Sequence, residues 1–179
     1  DWSFVTSSGP GYYYGSMAFD ATSSKVVYFG GYQYPPGVCR NETWAYDGAG
    51  WQKLSVSGPP EKRSDSILVY DQRLQKMVLF GGSNEYYDLF NDLWSFDGTA
   101  WEEIDHCGSA PEGYYMTLGA YDERRGRLVA AKASGETSTF ELVGLGGSCI
   151  PVIDPQSRNF GAEGGIGTVG LTITAGCQW

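Results

Sequence analysis

Histidine, cations and long apolar runs are what this chain lacks. His106 is its only imidazole. One imidazole excludes a His-rich metal centre, and no C-x-x-C pair stands in for it, so zinc is not expected. A Ser-His-Asp triad would depend on that same residue, with no G-x-S-x-G elbow to carry the serine. No stretch approaches the roughly eighteen apolar residues of a membrane-crossing helix. The 12 Lys and Arg are outnumbered by 21 Asp and Glu, a net charge of −9. That balance argues against nucleic acid and against anionic membrane surfaces as partners. Apolar residues nowhere follow a helical period.

Glycine and aromatic rings are plentiful instead, at 26 glycines and 15% Phe, Trp and Tyr. They recur. NETWAYDGAGW at 41–51 returns as NDLWSFDGTAW at 91–101, so Asn41, Trp44, Asp47, Gly48 and Trp51 match Asn91, Trp94, Asp97, Gly98 and Trp101 fifty residues on. Phe19-Asp20, Tyr70-Asp71 and Tyr121-Asp122 are spaced by fifty-one, as are Gly30-Gly31 and Gly81-Gly82. Trp2 precedes Trp51 by forty-nine. Each unit reads as four short strands. MAFD, ILVYD and LGAYD are β-type runs closed by a turn residue. Lys25–Phe29 and Lys76–Phe80 are nearly all apolar, as for a strand buried on both faces. Gly-Gly then permits φ > 0 and close approach of a neighbour. Asp47-Gly48 and Asp97-Gly98 predict two-residue type I′ hairpins. Trp51 and Trp101 open the fourth strand and supply apolar area between layers. The fold class is therefore all-β, with four antiparallel strands per unit.

This pattern resembles the bacterial kelch-repeat family, with its P-x-x-R start, FGG core and W-x-x-DG-x-x-W end. The second unit carries it best, through Pro60, Arg63, Phe80, Gly81, Gly82, Trp94, Asp97, Gly98 and Trp101. The third is eroded: Ala131-Lys132-Ala133 replaces FGG and TFELVG at 139–144 replaces TWAYDG. The resemblance implies propeller blades over 1–145, about three in an incomplete ring. Trp2-Ser3-Phe4-Val5 would be an orphan fourth strand. Known propellers have about four to eight blades, so a longer parent, or two chains sharing one ring, is expected. The start at Asp1 fits a processed or trimmed product. Some members of the family are copper-radical oxidases, but His106 alone cannot supply their imidazole ligands. Ser95, Asp97 and Trp101 echo the sialidase aspartate box with the wrong spacing.

Residues 146–179 change character, toward Gly, Ser and Thr. They resemble the opening of a BACON-type immunoglobulin-like domain, through Cys149, Pro155, Ser157, Phe160, Gly164, Gly165, Cys177 and Trp179. Val169, Leu171 and Ile173 alternate with small or polar residues, as in a half-buried strand. The segment falls short of the roughly seven strands of a sandwich. Strand ends at Cys149 and Cys177 make their disulfide plausible; Cys39–Cys107 is the less favoured pair. Four cysteines suggest an oxidising compartment, hence a secreted or cell-surface protein. The sequon Asn41-Glu42-Thr43 coincides with the repeat and is read as scaffold.

Up-and-down strands sort the loops into two sets. Tyr12, Tyr13, Tyr14, Tyr32, Tyr34, Tyr86, Tyr87, Tyr114 and Tyr115 fall with the long loops, while Tyr28, Tyr46, Tyr70 and Tyr121 sit within strands. Lys25, Arg73, Lys76, Arg124, Arg125 and Arg127 collect at the short turns. Tyr12 and Tyr114 occupy the place of Arg63. Exposed tyrosines suit sugars and protein partners, and loops on a rigid scaffold usually carry function. The expected function is a non-enzymatic extracellular binding or adhesion module for glycan or protein. A structural subunit that donates strands to a neighbour is the alternative. A third reading is the scaffold of a secreted hydrolase or oxidase whose catalytic residues lie elsewhere. No cofactor is implied. Asn84, Glu85, Asp88, Asn91 and Asp92 could hold calcium but lack EF-hand order, and read better as a solvated acidic loop.

Overall fold

A computed structural model describes residues 1–105, 118–131 and 138–142. These residues are all-β, without a helix, and belong to one compact unit. In chain order the strands are β1 (Ser16–Asp20), β2 (Lys25–Phe29), β3 (Tyr32–Gln33), β4 (Val38–Cys39), β5 (Thr43–Tyr46) and β6 (Trp51–Lys53). Then follow β7 (Ile67–Asp71), β8 (Lys76–Phe80), β9 (Leu93–Phe96), β10 (Trp101–Glu103), β11 (Leu118–Asp122), β12 (Arg127–Ala131) and β13 (Thr139–Leu142).

They build three antiparallel sheets of adjacent strands: β1-β2-β5-β6, β7-β8-β9-β10 and β11-β12-β13. A ribbon of β3 and β4 stands in the long loop of the first sheet. The registers repeat with the sequence: Tyr28 pairs with Trp44 as Leu79 pairs with Trp94, and Tyr46 faces Trp51 as Phe96 faces Trp101. The recurring motif is thus one sheet built twice.

Two local expectations change. Trp2–Val5 forms no strand; Trp2, Phe4 and Val5 are exposed in irregular chain. A strand needs a partner for its backbone groups, and the second unit's fourth strand pairs with its own third. The Asp-Gly turns are four-residue loops, not two-residue type I′ hairpins, because Tyr46 pairs with Trp51 across 47–50. Asp47 Oδ1 accepts the N–H groups of Ala49 and Gly50 at 2.9 and 3.0 Å, and only Gly48 takes φ > 0 (97°). Asp97 does the same for Thr99 and Ala100. The carboxylate, bonding its own backbone two and three residues on, organises the loop.

The core lies between sheets. Val27 and Phe29 meet Leu68, Met77, Leu79, Phe96 and Trp101, all at 6% exposure or less. Trp101 stacks on Phe96 at 4.8 Å and lies 4.9 Å from Phe29, while its indole donates to Thr43 Oγ1 at 3.0 Å. That bond satisfies the one polar group a buried indole carries. A second cluster joins Ile67, Val69, Val78 and Leu93 to Leu128 and Ala130. Gly82 shows why the Gly-Gly pair recurs. Its φ is 99°, and a Cβ there would lie 2.6 Å from the Ser64 carbonyl. The link from the preceding sheet passes too close for any side chain.

Candidate functional site

The long-loop edge is assembled from segments of successive units. Tyr13 and Tyr32 exchange backbone hydrogen bonds at 2.8 and 2.6 Å. Asp65 N–H donates to the Tyr14 carbonyl (2.9 Å), Ser64 and Ser83 bond reciprocally, and Cys39 N–H reaches Glu85 Oε2 at 3.4 Å. Hydrogen bonds thus tie together the segments at 12–14, 32–40, 63–65 and 83–90.

The tyrosines on this edge divide. Tyr13, Tyr14, Tyr34, Tyr86 and Tyr87 are 60 to 77% exposed. The rings of Tyr13 and Tyr14 lie 6.3 Å apart. Asn84 organises the next loop: its side-chain oxygen accepts from Tyr86 and Asp88 N–H, and its amide donates to Asp88 Oδ2. Tyr32 differs from expectation in lying in β3, half-buried. Tyr12 is half-buried too and serves the frame. Tyr114 and Tyr115, with Cys107, Cys149 and Cys177, lie outside the described residues.

Two of the exposed tyrosines adopt left-handed backbone, Tyr14 at φ 58° and Tyr87 at φ 69°. The position matching Tyr14 in the second unit is Asp65, also at φ 58°. Aspartate tolerates that region and a bulky ring does not. A tyrosine there costs about 1–2 kcal/mol that the frame itself does not require.

Beneath the tyrosines lies a polar frame that sequence reasoning half saw. Arg63 is fully buried. Its backbone bonds the first unit, through Gly31 N–H and the Arg40 carbonyl. Its guanidinium bonds the second, donating to Asp92 Oδ1 (2.5 Å) and Oδ2 (2.8 Å) and to the Gly81 carbonyl (3.0 Å). It also lies 4.0 Å over the Phe90 ring, and Trp94 Nε1 donates to Asp92 Oδ2 at 2.7 Å. Burial works to raise the Asp92 pKa, but Arg63 and Trp94 together hold it below the usual carboxylate range.

The first unit repeats this frame with its parts exchanged. Tyr12 stands for Arg63, Glu42 for Asp92 and Arg40 for Phe90. Tyr12 Oη donates to Glu42 Oε2 at 2.9 Å, and Trp44 Nε1 donates to the same oxygen at 3.0 Å. Arg40 sits 5.9 Å from the Tyr12 ring. Cation and ring have traded places. Glu42 finds its cation in Lys53 at 2.7 Å. Arg40 also bonds Gln33, and its Nε is buried without a partner. Sequence reasoning passed over Arg40; its fifty-residue match to Phe90, beside that of Tyr12 to Arg63, was the signal.

Other candidates resolve differently. Asp92 and Asp88 are committed to Arg63 and Asn84, and no three His, Cys, Asp or Glu converge among the described residues. Cys39 is a buried free thiol near Ser64 Oγ and the Ser83 carbonyl; Cys107, its expected alternative partner, lies outside the described residues. Burial pushes the Cys39 pKa up, which makes it a poor nucleophile. Among the short-turn cations, Arg125 and Arg127 pair with Glu141, and Lys76 with Glu102. The scaffold residues Gly30, Gly31, Trp44, Trp51, Gly81, Gly82, Trp94 and Trp101 lie within these sheets or at their ends.

No protein-family description matches the chain, and no curated protein does. Among solved structures, that of YjhT is similar at 16% sequence identity and a TM-score of 0.43, over 74% of this chain and 52% of that one. The chain spans about half the length of that protein. A likeness of that grade decides nothing about activity.

Proposed function

We propose that the chain is a non-enzymatic extracellular binding module, built of kelch-type propeller blades, that engages a glycan or protein through its tyrosine-bearing loops. The observation that carries this reading is Tyr14, an exposed ring in left-handed backbone where the matching position holds aspartate. Strain of this kind concentrates at functional sites. Tyr13, Tyr34, Tyr86 and Tyr87 add exposed rings on the same loops. Each ring offers a flat apolar face for a sugar and a hydroxyl for polar contact. The loops that carry them are fixed by backbone bonds, so little order has to be gained on binding.

The test is a glycan array and a pull-down with the intact protein, followed by titration of any hit against Tyr14→Ala and Tyr86→Ala. Weakening of at least tenfold with an unchanged far-UV spectrum is expected. A blank in both screens, or full affinity in both variants, overturns the proposal.

A further inference from the structure

Sheet contacts in this molecule run in one direction. Each internal contact sets the outgoing face of one sheet against the incoming face of the next. The first sheet offers Val27 and Phe29 to Leu68, Met77 and Leu79 of the second. The second offers Ile67, Val69 and Val78 to Leu128 and Ala130 of the third. The inner strands β1, β7 and β11 pack side by side in that order. The second sheet is consequently apolar and covered on both faces.

Among the described residues, each outer sheet packs against a neighbouring sheet on one face only. Leu68 on the incoming face of the second sheet is 6% exposed; its counterpart Met17 on the first sheet is 63% exposed, with Phe19 beside it at 56%. On the outgoing side, Ile67 of the second sheet is 4% exposed, and its counterpart Leu118 on the third is 69% exposed. Leu118, Ala120, Val129 and Ala131 line an open hollow on the third sheet. Charge on these surfaces stands beside the apolar residues in ion pairs: Glu141, opposite Val129, with Arg125 and Arg127 on the third sheet, and Lys53, opposite Trp44, with Glu42 on the first. Contiguous apolar surface of this kind marks an interaction site.

We infer that the open face of the third sheet receives the open face of the first sheet of a second copy, and reciprocally. What commits the surface to this occupant is continuity with the two internal contacts. An outgoing face of this chain is shaped for an incoming face of the same repeat, and the first sheet carries an unused one. Met17 and Phe19 are the repeat equivalents of Leu68 and Tyr70, which fill that role inside the chain. Leu118 and Ala120 are the equivalents of Ile67 and Val69. Such a contact is heterologous, so it must either close or grow. The three main sheets of the described residues, taken twice, give six, within the about four to eight at which sheets close radially, so two copies can close on each other.

Sedimentation equilibrium of the full chain measures this directly. A species of twice 19.5 kDa, dissociating on dilution, is expected. Phe19→Lys and Leu118→Lys each introduce a charge into one face at an exposed position, so the fold survives, as circular dichroism checks. Each variant alone should dissociate at least about thirtyfold more readily. Mixed in equal amounts, the two should recover a dimer, because one of the two contacts then joins two unaltered faces. Wild type that stays monomeric at 100 μM (roughly a hundredfold above a 1 μM Kd) overturns the inference. So does a Leu118→Lys protein that dimerises normally, a mixture that stays monomeric, or an assembly that grows beyond two copies.

Discussion

Replacing Arg63 with methionine asks how firmly a single side chain joins consecutive sheets. The residue is fully buried and its guanidinium makes two bonds to Asp92, one to the Gly81 carbonyl and one to the Glu61 carbonyl. Methionine keeps an apolar stem but removes every donor and the guanidinium that lies over Phe90. Asp92 is left with only the Trp94 indole among these partners, and the Gly81 carbonyl loses the guanidinium bond. Removing one partner of a buried ion pair costs about 3–5 kcal/mol. The Asp92 side chain keeps 21% exposure, so water relieves part of its charge and the lower end, about 3 kcal/mol, is expected. For a chain of this size that corresponds to a fall in Tm of roughly 6–12 °C. Tyr12→Phe at the matching position should cost only about 1 kcal/mol, because Glu42 retains Lys53 and Trp44. Equilibrium urea unfolding of Arg63→Met, Asp92→Asn and the double variant isolates the pair, with a coupling of about 2 kcal/mol expected. A coupling below about 0.5 kcal/mol, or an Arg63→Met cost no larger than that of Tyr12→Phe, refutes the reasoning.

The Asp97 carboxylate is held down to about 2 by the N–H of Ala100 and then by the hydroxyl and N–H of Thr99. A folded pKa below the unfolded value of about 3.9 stabilises the fold above that value, and the contribution is lost as pH falls toward the folded one. The stability gap between wild type and Asp97→Asn should therefore be constant above about pH 5 and narrow between about pH 4 and pH 2; a gap that holds to pH 2 contradicts the capping role. Tyr12→Arg and Arg40→Phe together should rebuild the second unit's frame in the first. Their double variant should exceed the sum of the single effects by about 1 kcal/mol in urea unfolding, and strict additivity would show that the two frames are not equivalent.

The strands were legible because their signals are local. ILVYD and KMVLF became β7 and β8 over the same residues, since alternation and turn residues act within a few positions. The misreadings needed information from further away. Trp2–Val5 looks like Trp51–Leu54 in sequence, yet a strand exists only where another strand accepts its bonds. Asp47-Gly48 looks like a two-residue turn. The dipeptide cannot show that the aspartate keeps negative φ and spends its carboxylate on Ala49 and Gly50 instead. Among the tyrosines, sequence position did not separate the buried from the exposed. Tyr12 and Tyr13 are neighbours; one closes the frame on Glu42 and the other stands in solvent. The partner of Arg63 lies twenty-nine residues away and came into view only once both frames could be compared.

The exchange between the two frames also links the scaffold to the proposed ligand face. A long donor, Arg63, meets the short Asp92; the shorter reach of a phenol, Tyr12, meets the longer Glu42. Reach is conserved across the exchange while charge is not. A neutral phenol leaves Glu42 to be balanced by Lys53, an exposed partner whose pairing salt will screen. It also releases the guanidinium from the interior of the link. In the first unit the cation is Arg40, at the root of the loop that carries Tyr32 and Tyr34, and its Nε has no partner. A buried donor left unpaired costs about 1–3 kcal/mol. The second unit avoids that cost by placing an uncharged ring, Phe90, at the same point. The first unit is therefore the less stable arrangement of the two, and it is the one that sets an incompletely bonded cation among the tyrosines. A frame selected for stability alone would have kept the arginine inside. The unpaired Nε is itself buried, so the exchange lowers the stability of the frame beneath Tyr13 and Tyr14 without presenting that donor to solvent.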